Sequence, residues 1–178
     1  MTTAVPEPVP PPPPPSAPLS LTIDEAALAA NWRALDRLSG SAAAGAAVKA
    51  DAYGVGSRQA VPILREAGCR DFFVAHWSEA SPLLDLVPGG WISVLHGPLT
   101  AADTAFARAA GVKPVINSLA QARRWLAAGG GRCDLMVDTG INRLGLPLAE
   151  LGDEAIGRLA IDVLMSHLAS ADEDVPLN

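Results

Sequence analysis

Six short apolar runs, at 44–49, 71–76, 91–96, 114–117, 134–138 and 161–167, recur along the chain with segments of helical pattern between them. That alternation predicts an α/β architecture, because two parallel strands can be joined only by a crossover, and the usual crossover is a helix. In the first helical segment Leu28, Trp32, Leu35 and Leu38 fall at helical spacing, Thr22 with Glu25 fits a capping box, and Gly40 supplies a stop. Thr100 with Asp103 and Ser118 with Gln121 mark two later helix starts, and the glycines Gly129 to Gly131 mark a stop. Pro62 and Pro82 read as first-turn prolines, where a missing N–H costs little.

Repeated strand and helix units close into an eightfold barrel or spread into an open doubly wound sheet. All three histidines, His76, His96 and His167, fall at the carboxyl ends of expected strands, together with Lys49, Asn117 and Asp138. Both architectures put chemistry on that face. A dinucleotide site would need G-x-G-x-x-G after the first strand, whereas this strand runs into Lys49-Ala50-Asp51-Ala52-Tyr53-Gly54, which argues against a nicotinamide-dependent oxidoreductase. The expectation is a partial (β/α)8 barrel of the TIM type, with about six of its eight strands.

Apolar residues make up 49% of the 178 and charged ones 18%, enough to bury a core. A net charge of −6 without a basic cluster gives no footprint for nucleic acid. No apolar stretch reaches the roughly 20 residues of a membrane-spanning helix. Cys69 and Cys133, far apart and each beside an apolar run, read as buried free thiols suited to the cytoplasm, and no metal set is expected. Residues 1–18, with six consecutive prolines from Pro10 to Pro15, read as a disordered, solvated leader, leaving 19–178 as the folded part.

In isolation Lys49 either snorkels its ammonium into water or is a partly desolvated amine able to condense with an aldehyde. Its context is Ala47-Val48-Lys49-Ala50-Asp51-Ala52-Tyr53-Gly54-Val55-Gly56, which closely resembles the V-K-A-[ND]-A-Y-G-x-G cofactor-lysine motif of alanine racemases. The block from Val137 to Leu146 is similar to that family's D-T-G-[MI]-x-R-[LI]-G, and the block from Ser166 to Glu173 to its [TS]-H-[FL]-A-x-A-D-E. The three motifs stand in the family's order, and the resemblance runs from about Leu19 to the end.

The resemblance implies a pyridoxal-phosphate (PLP) dependent isomerase that interconverts L-alanine and D-alanine for cell-wall supply, with serine as an alternative substrate. It implies that Lys49 carries the cofactor and serves as one of two acid/base groups. Tyr53 would bond the cofactor phosphate, Arg143 the phenolic oxygen and the substrate carboxylate, and His167 would lie against the pyridine ring. Read without the resemblance, Tyr53 packs its loop, Arg143 makes a surface ion pair and His167 is a satisfied strand-end group.

Family members are expected to be homodimers and to continue through two more strands and a β-rich carboxyl-terminal domain. That domain, from a partner subunit, supplies a tyrosine as the second acid/base group. Residues 1–178 are accordingly expected to be a truncated chain, inactive alone, or else a non-catalytic PLP-binding remnant or one half of a split racemase. A smaller departure is Met136, where many members have a carbamylated lysine that pairs with the arginine. Arg143 should then be oriented otherwise, by an anion or by a neighbour such as Asn142.

Overall fold

The computed structural model describes residues 19–171. The proline-rich leader, and the end of the third motif at Asp172 and Glu173, lie outside the described residues. Seven strands form one parallel sheet: β1 (Ala46–Ala47), β2 (Phe72–Val74), β3 (Ile92–Val94), β4 (Lys113–Ile116), β5 (Arg132–Asp138), β6 (Leu146–Pro147) and β7 (Ala160–Ser166). Their order follows the chain from β1 to β5, after which β6 and β7 both pair with β5. A doubly wound sheet reverses its strand order at a switch point. No reversal occurs here, and the architecture is the partial barrel expected.

The helical segments are α1 (Glu25–Leu38), α2 (Lys49–Tyr53), α3 (Ser57–Ala67), α4 (Trp77–Ala80), α5 (Ala101–Ala110), α6 (Leu119–Ala127) and α7 (Glu154–Gly157). Among the described residues no helix is long and apolar enough to cross a membrane. Two packed clusters hold the strands. Trp32, Val61, Leu64, Phe72, Val74, Leu83, Ile92 and Val94 fill the first, Ile116, Ala122, Trp125, Cys133, Leu135 and Leu146 the second, and Trp77 touches both. Both cysteines are free and buried, and burial pushes the Cys133 thiol up to about 12.

Local signals fared unevenly. Thr100 accepts from the Asp103 N–H at 3.2 Å while Asp103 accepts from the Thr100 N–H at 2.7 Å, the capping box read from the sequence. Ser118 likewise accepts from the Gln121 N–H at 3.3 Å, but the Gln121 amide oxygen serves Asn117 rather than Ser118. Helix α1 is capped by Asp24, which accepts from the Ala27 N–H at 2.9 Å, and not by Thr22. Asp24 stands immediately before the first helical residue, where its side-chain oxygen reaches an N–H that the helix leaves without a partner.

Pro62 is not a first-turn residue; it lies inside α3, where the lost hydrogen bond is offset by burial of its neighbours Ala60, Val61 and Leu64. Pro82 does sit in the first turn of a short 3₁₀ helix. On α1, Ala29 and Trp32 are buried while Leu35 and Leu38 are exposed, because the packed stripe turns away from the sheet after Trp32.

Below the sheet, at the amino ends of its strands, sits an ionic group whose Lys113 and Asp134 are buried. Lys113 Nζ is 2.9 Å from the Asp162 carboxylate and 3.7 Å from that of Asp134, which also accepts from Ser93 Oγ at 2.6 Å. Burial holds the Asp134 carboxyl above its ordinary range, and the Lys113 and Arg132 partners hold Asp162 below it.

Candidate functional site

At the opposite, carboxyl end of the strands a cavity of about 550 Å³ is lined by Lys49, Tyr53, His96, Arg143 and His167 over a floor that includes Phe73, Leu95, Met136 and Met165. The polar groups reach it from four strand ends, Lys49 and Tyr53 sharing the first. Lys49 opens α2 two residues after β1, His96 follows β3, Arg143 lies between β5 and β6, and His167 follows β7 directly. The structure therefore brings Lys49, Tyr53, Arg143 and His167 into one cavity.

The backbone after Lys49 is unusual. Ala50, Asp51, Ala52 and Tyr53 have φ of 50°, 51°, 52° and 55°, so α2 is a left-handed turn made without glycine. Each such residue costs roughly 1–2 kcal/mol against the right-handed form, so the surroundings must hold the turn. Within it, Asp51 accepts from the Ser57 N–H at 2.7 Å and the Ser57 hydroxyl at 2.9 Å, contacts that also hold its carboxyl below the usual range. The turn brings the exposed Tyr53 ring to 5.9 Å from the Lys49 ammonium.

The second motif folds into the loop that carries Arg143. Asp138 accepts from the Gly140 N–H at 2.9 Å and the Asn142 N–H at 3.1 Å, which lowers its pKa, and Thr139 Oγ1 lies 2.5 Å from Ser166 Oγ on β7. Gly145 closes the loop with φ +118°; a Cβ there would stand 2.6 Å from the Asp138 nitrogen. The Asn142 side chain donates to the Gly140 carbonyl at 3.1 Å and so braces its own loop. Met136 is buried, with its side chain toward the cavity floor.

Not every strand-end polar residue lines the cavity. Asn117 is buried and donates to the carbonyls of Leu95 and Val115 at 2.9 and 3.0 Å, joining β3 to β4. His76 stands behind His96, ring centroids 4.2 Å apart and nearly perpendicular. Burial first, and the His76 charge second, lower the His96 pKa, which favours its neutral imidazole. Sequence reasoning missed Glu79, whose carboxylate accepts from the N–H groups of Ala50, Ala75 and His76. The spacing of His76 and Glu79 as residues three apart at a helix start was the available signal.

Residues 23–178 match the family model described as alanine racemase, N-terminal domain. The chain is 47% identical over 167 residues to an alanine racemase of Rhizobium meliloti, covering 89% of this chain and 44% of that protein. Among solved structures it is similar to an alanine racemase from Bartonella henselae with covalently bound pyridoxal phosphate (TM-score 0.75, 33% identity, 83% of this chain and 46% of that one). It is also similar to a histidine racemase from Leuconostoc mesenteroides (TM-score 0.68, 26% identity, 84% and 46%). The chain thus spans less than half the length of the relatives it matches. A left-handed lysine turn and an arginine loop at the mouth of a parallel half-barrel, joined to a match over nearly the whole described chain, mean that it belongs to the alanine racemase family.

Proposed function

We propose that residues 19–178 are the cofactor-carrying barrel portion of a PLP-dependent amino-acid racemase that interconverts L-alanine and D-alanine in the cytoplasm, in the service of D-alanine supply to the cell wall. One observation carries the reading. The chain has two lysines, and Lys113 is withdrawn into an ion pair at the amino ends of the strands, leaving Lys49 as the lysine that faces the cavity. An aldehyde cofactor held through a lysine amine has that one partner here.

The residues present fit such a cofactor. When bound, PLP supplies an electron sink for the carbanion left after loss of the substrate Cα proton. Lys49 Nζ would hold the cofactor and move a proton at Cα on one face. The Tyr53 hydroxyl, at the exposed rim, would donate to a phosphate oxygen. Arg143 offers a planar fork of donors that suits a substrate carboxylate and a phenolic oxygen together. His167 presents a flat ring to stack against a pyridine. Phe73, Leu95, Met136 and Met165 make an apolar floor that strengthens these contacts.

Racemisation needs a proton acceptor on both faces of the reacting carbon. Tyr53 is committed to the phosphate, so the second acceptor comes from outside residues 1–178, from a carboxyl-terminal domain contributed by a dimer partner. Taken alone, these residues bind the cofactor and do not turn over. A substrate other than alanine is the second reading, favoured by the likeness to a histidine racemase and by a floor of flexible methionines; serine is the small polar candidate. Incubation with PLP, borohydride reduction and peptide mapping tests the core of the proposal. A single modification on the Lys49 peptide is expected, and its absence would sink the reading.

A further inference from the structure

We propose that Glu79 is the positioning residue for Lys49: its carboxylate holds the peptide that leaves Lys49 and thereby fixes the direction in which the amine enters the cavity. The inference rests on the reading of Lys49 as the cofactor lysine.

The two carboxylate oxygens are divided between two strand ends. Oε2 accepts from the N–H groups of Ala75 at 2.7 Å and His76 at 3.0 Å, at the start of α4, while Oε1 crosses to the N–H of Ala50 at 2.8 Å. The first N–H groups of any helical turn lack partners within it. Ala50 is the first of the four consecutive left-handed residues, and Glu79 supplies the acceptor its N–H lacks. Ser57 bonds the side chain of the next residue, Asp51, so two adjacent residues of the strained segment are tied to groups outside it.

The geometry makes the effect on Lys49 direct. The Ala50 N–H belongs to the peptide plane formed with the Lys49 carbonyl, so fixing it fixes the Lys49 ψ angle and with it the Cα–Cβ vector. Burial alone would raise the Glu79 pKa, but the N–H groups of His76, Ala50 and Ala75 outweigh it and hold the carboxyl below the ordinary range, so the acceptor is charged and the bonds are strong. A helix cap alone would need only Oε2. The bond from Oε1 spans 29 residues of sequence to reach a backbone group that α4 does not contain.

Three variants separate positioning from capping. Glu79→Asp keeps the charge and can still cap α4 but is one methylene too short to reach Ala50 as well. Glu79→Gln keeps length and one acceptor oxygen, enough for one of the two loops. Glu79→Ala removes both. The readouts are hydrogen exchange at the Ala50 amide in the cofactor-free chain and the rate at which Lys49 becomes borohydride-trappable with PLP.

Glu79→Asp and Glu79→Ala should each speed Ala50 exchange and slow Lys49 labelling tenfold or more, while Val94 and Val115 exchange as in the wild type. Glu79→Gln should fall between. Wild-type exchange at Ala50 in Glu79→Ala, wild-type labelling in Glu79→Asp, or equal loss of protection at Val94 and Val115 would each overturn the proposal. Should the wild-type chain itself not label at Lys49, the functional reading fails, and Ala50 exchange still decides whether Glu79 holds the turn.

Discussion

Lys113 Nζ stands 2.9 Å from the Asp162 carboxylate, joining the first residue of β4 to the third residue of β7 across the amino end of the sheet. The ammonium is nearly enclosed, with the buried Asp134 3.7 Å away on β5. Removing one partner of a buried ion pair leaves the other charge uncompensated, which costs about 3–5 kcal/mol. Lys113→Met should therefore destabilise the chain by at least about 3 kcal/mol in urea denaturation. The double variant Lys113→Met with Asp134→Asn should recover part of the loss, and a fully additive loss would show that the two groups are not coupled.

Asp134 and Asp162 have opposite pH signatures. Asp162, with its folded pKa lowered, contributes stability present above the unfolded value of about 3.9 and lost as pH falls through the folded pKa. Asp134, with its folded pKa raised, binds its proton more tightly when folded, so its contribution is greatest below about pH 3.9 and declines as pH rises through its folded pKa. Asp134→Asn abolishes that decline and keeps an acceptor for Ser93. Relative to the wild type, the variant should gain stability as pH rises above about 3.9, and a difference that stays flat with pH would refute the assignment.

Gly145 lies with φ +118° against the Asp138 nitrogen, so Gly145→Ala strains the backbone and forces the loop off Asp138. A loss of about 1–3 kcal/mol is expected, together with faster exchange at the Gly140 and Asn142 amides that Asp138 accepts from. Unchanged exchange there would mean that the loop does not depend on this close approach.

Arg143 is exposed on that loop and should matter to chemistry more than to folding. With the chain completed by the carboxyl-terminal portion of a relative, Arg143→Ala should lower kcat/KM tenfold or more, about 1.4 kcal/mol at the transition state, with the melting temperature little changed. A large drop in melting temperature with intact kinetics would make the residue structural.

Residues 1–178 alone should form no D-alanine from L-alanine above the background of free PLP. On the function proposed above, the second of two groups that act as a unit lies outside them, and such a loss typically costs orders of magnitude in rate. Turnover that disappears in Lys49→Ala would place the second acid/base group within this chain, and His96, beside Lys49 in the cavity, would be the first residue to test.

The sequence alone determined the architecture and marked Lys49, Arg143 and His167 as residues at strand ends. Strand and helix alternate with periods that any parallel α/β chain must show, and the motifs around Lys49, Arg143 and His167 mark strand ends that the fold brings to one mouth. Their physical basis is local: a strand's end, a turn's glycine and a helix's cap are each written within a few residues. The left-handed run after Lys49 was not legible, since neither alanine nor tyrosine favours that conformation and aspartate adopts it only as a single residue. What stabilises it is Glu79, 29 residues beyond Ala50. The burial of Lys113 was equally hidden, because its partners Asp134 and Asp162 arrive from β5 and β7. Which of the two lysines faces the cavity is thus decided by contacts distant in sequence, whose partners only the packed sheet brings together.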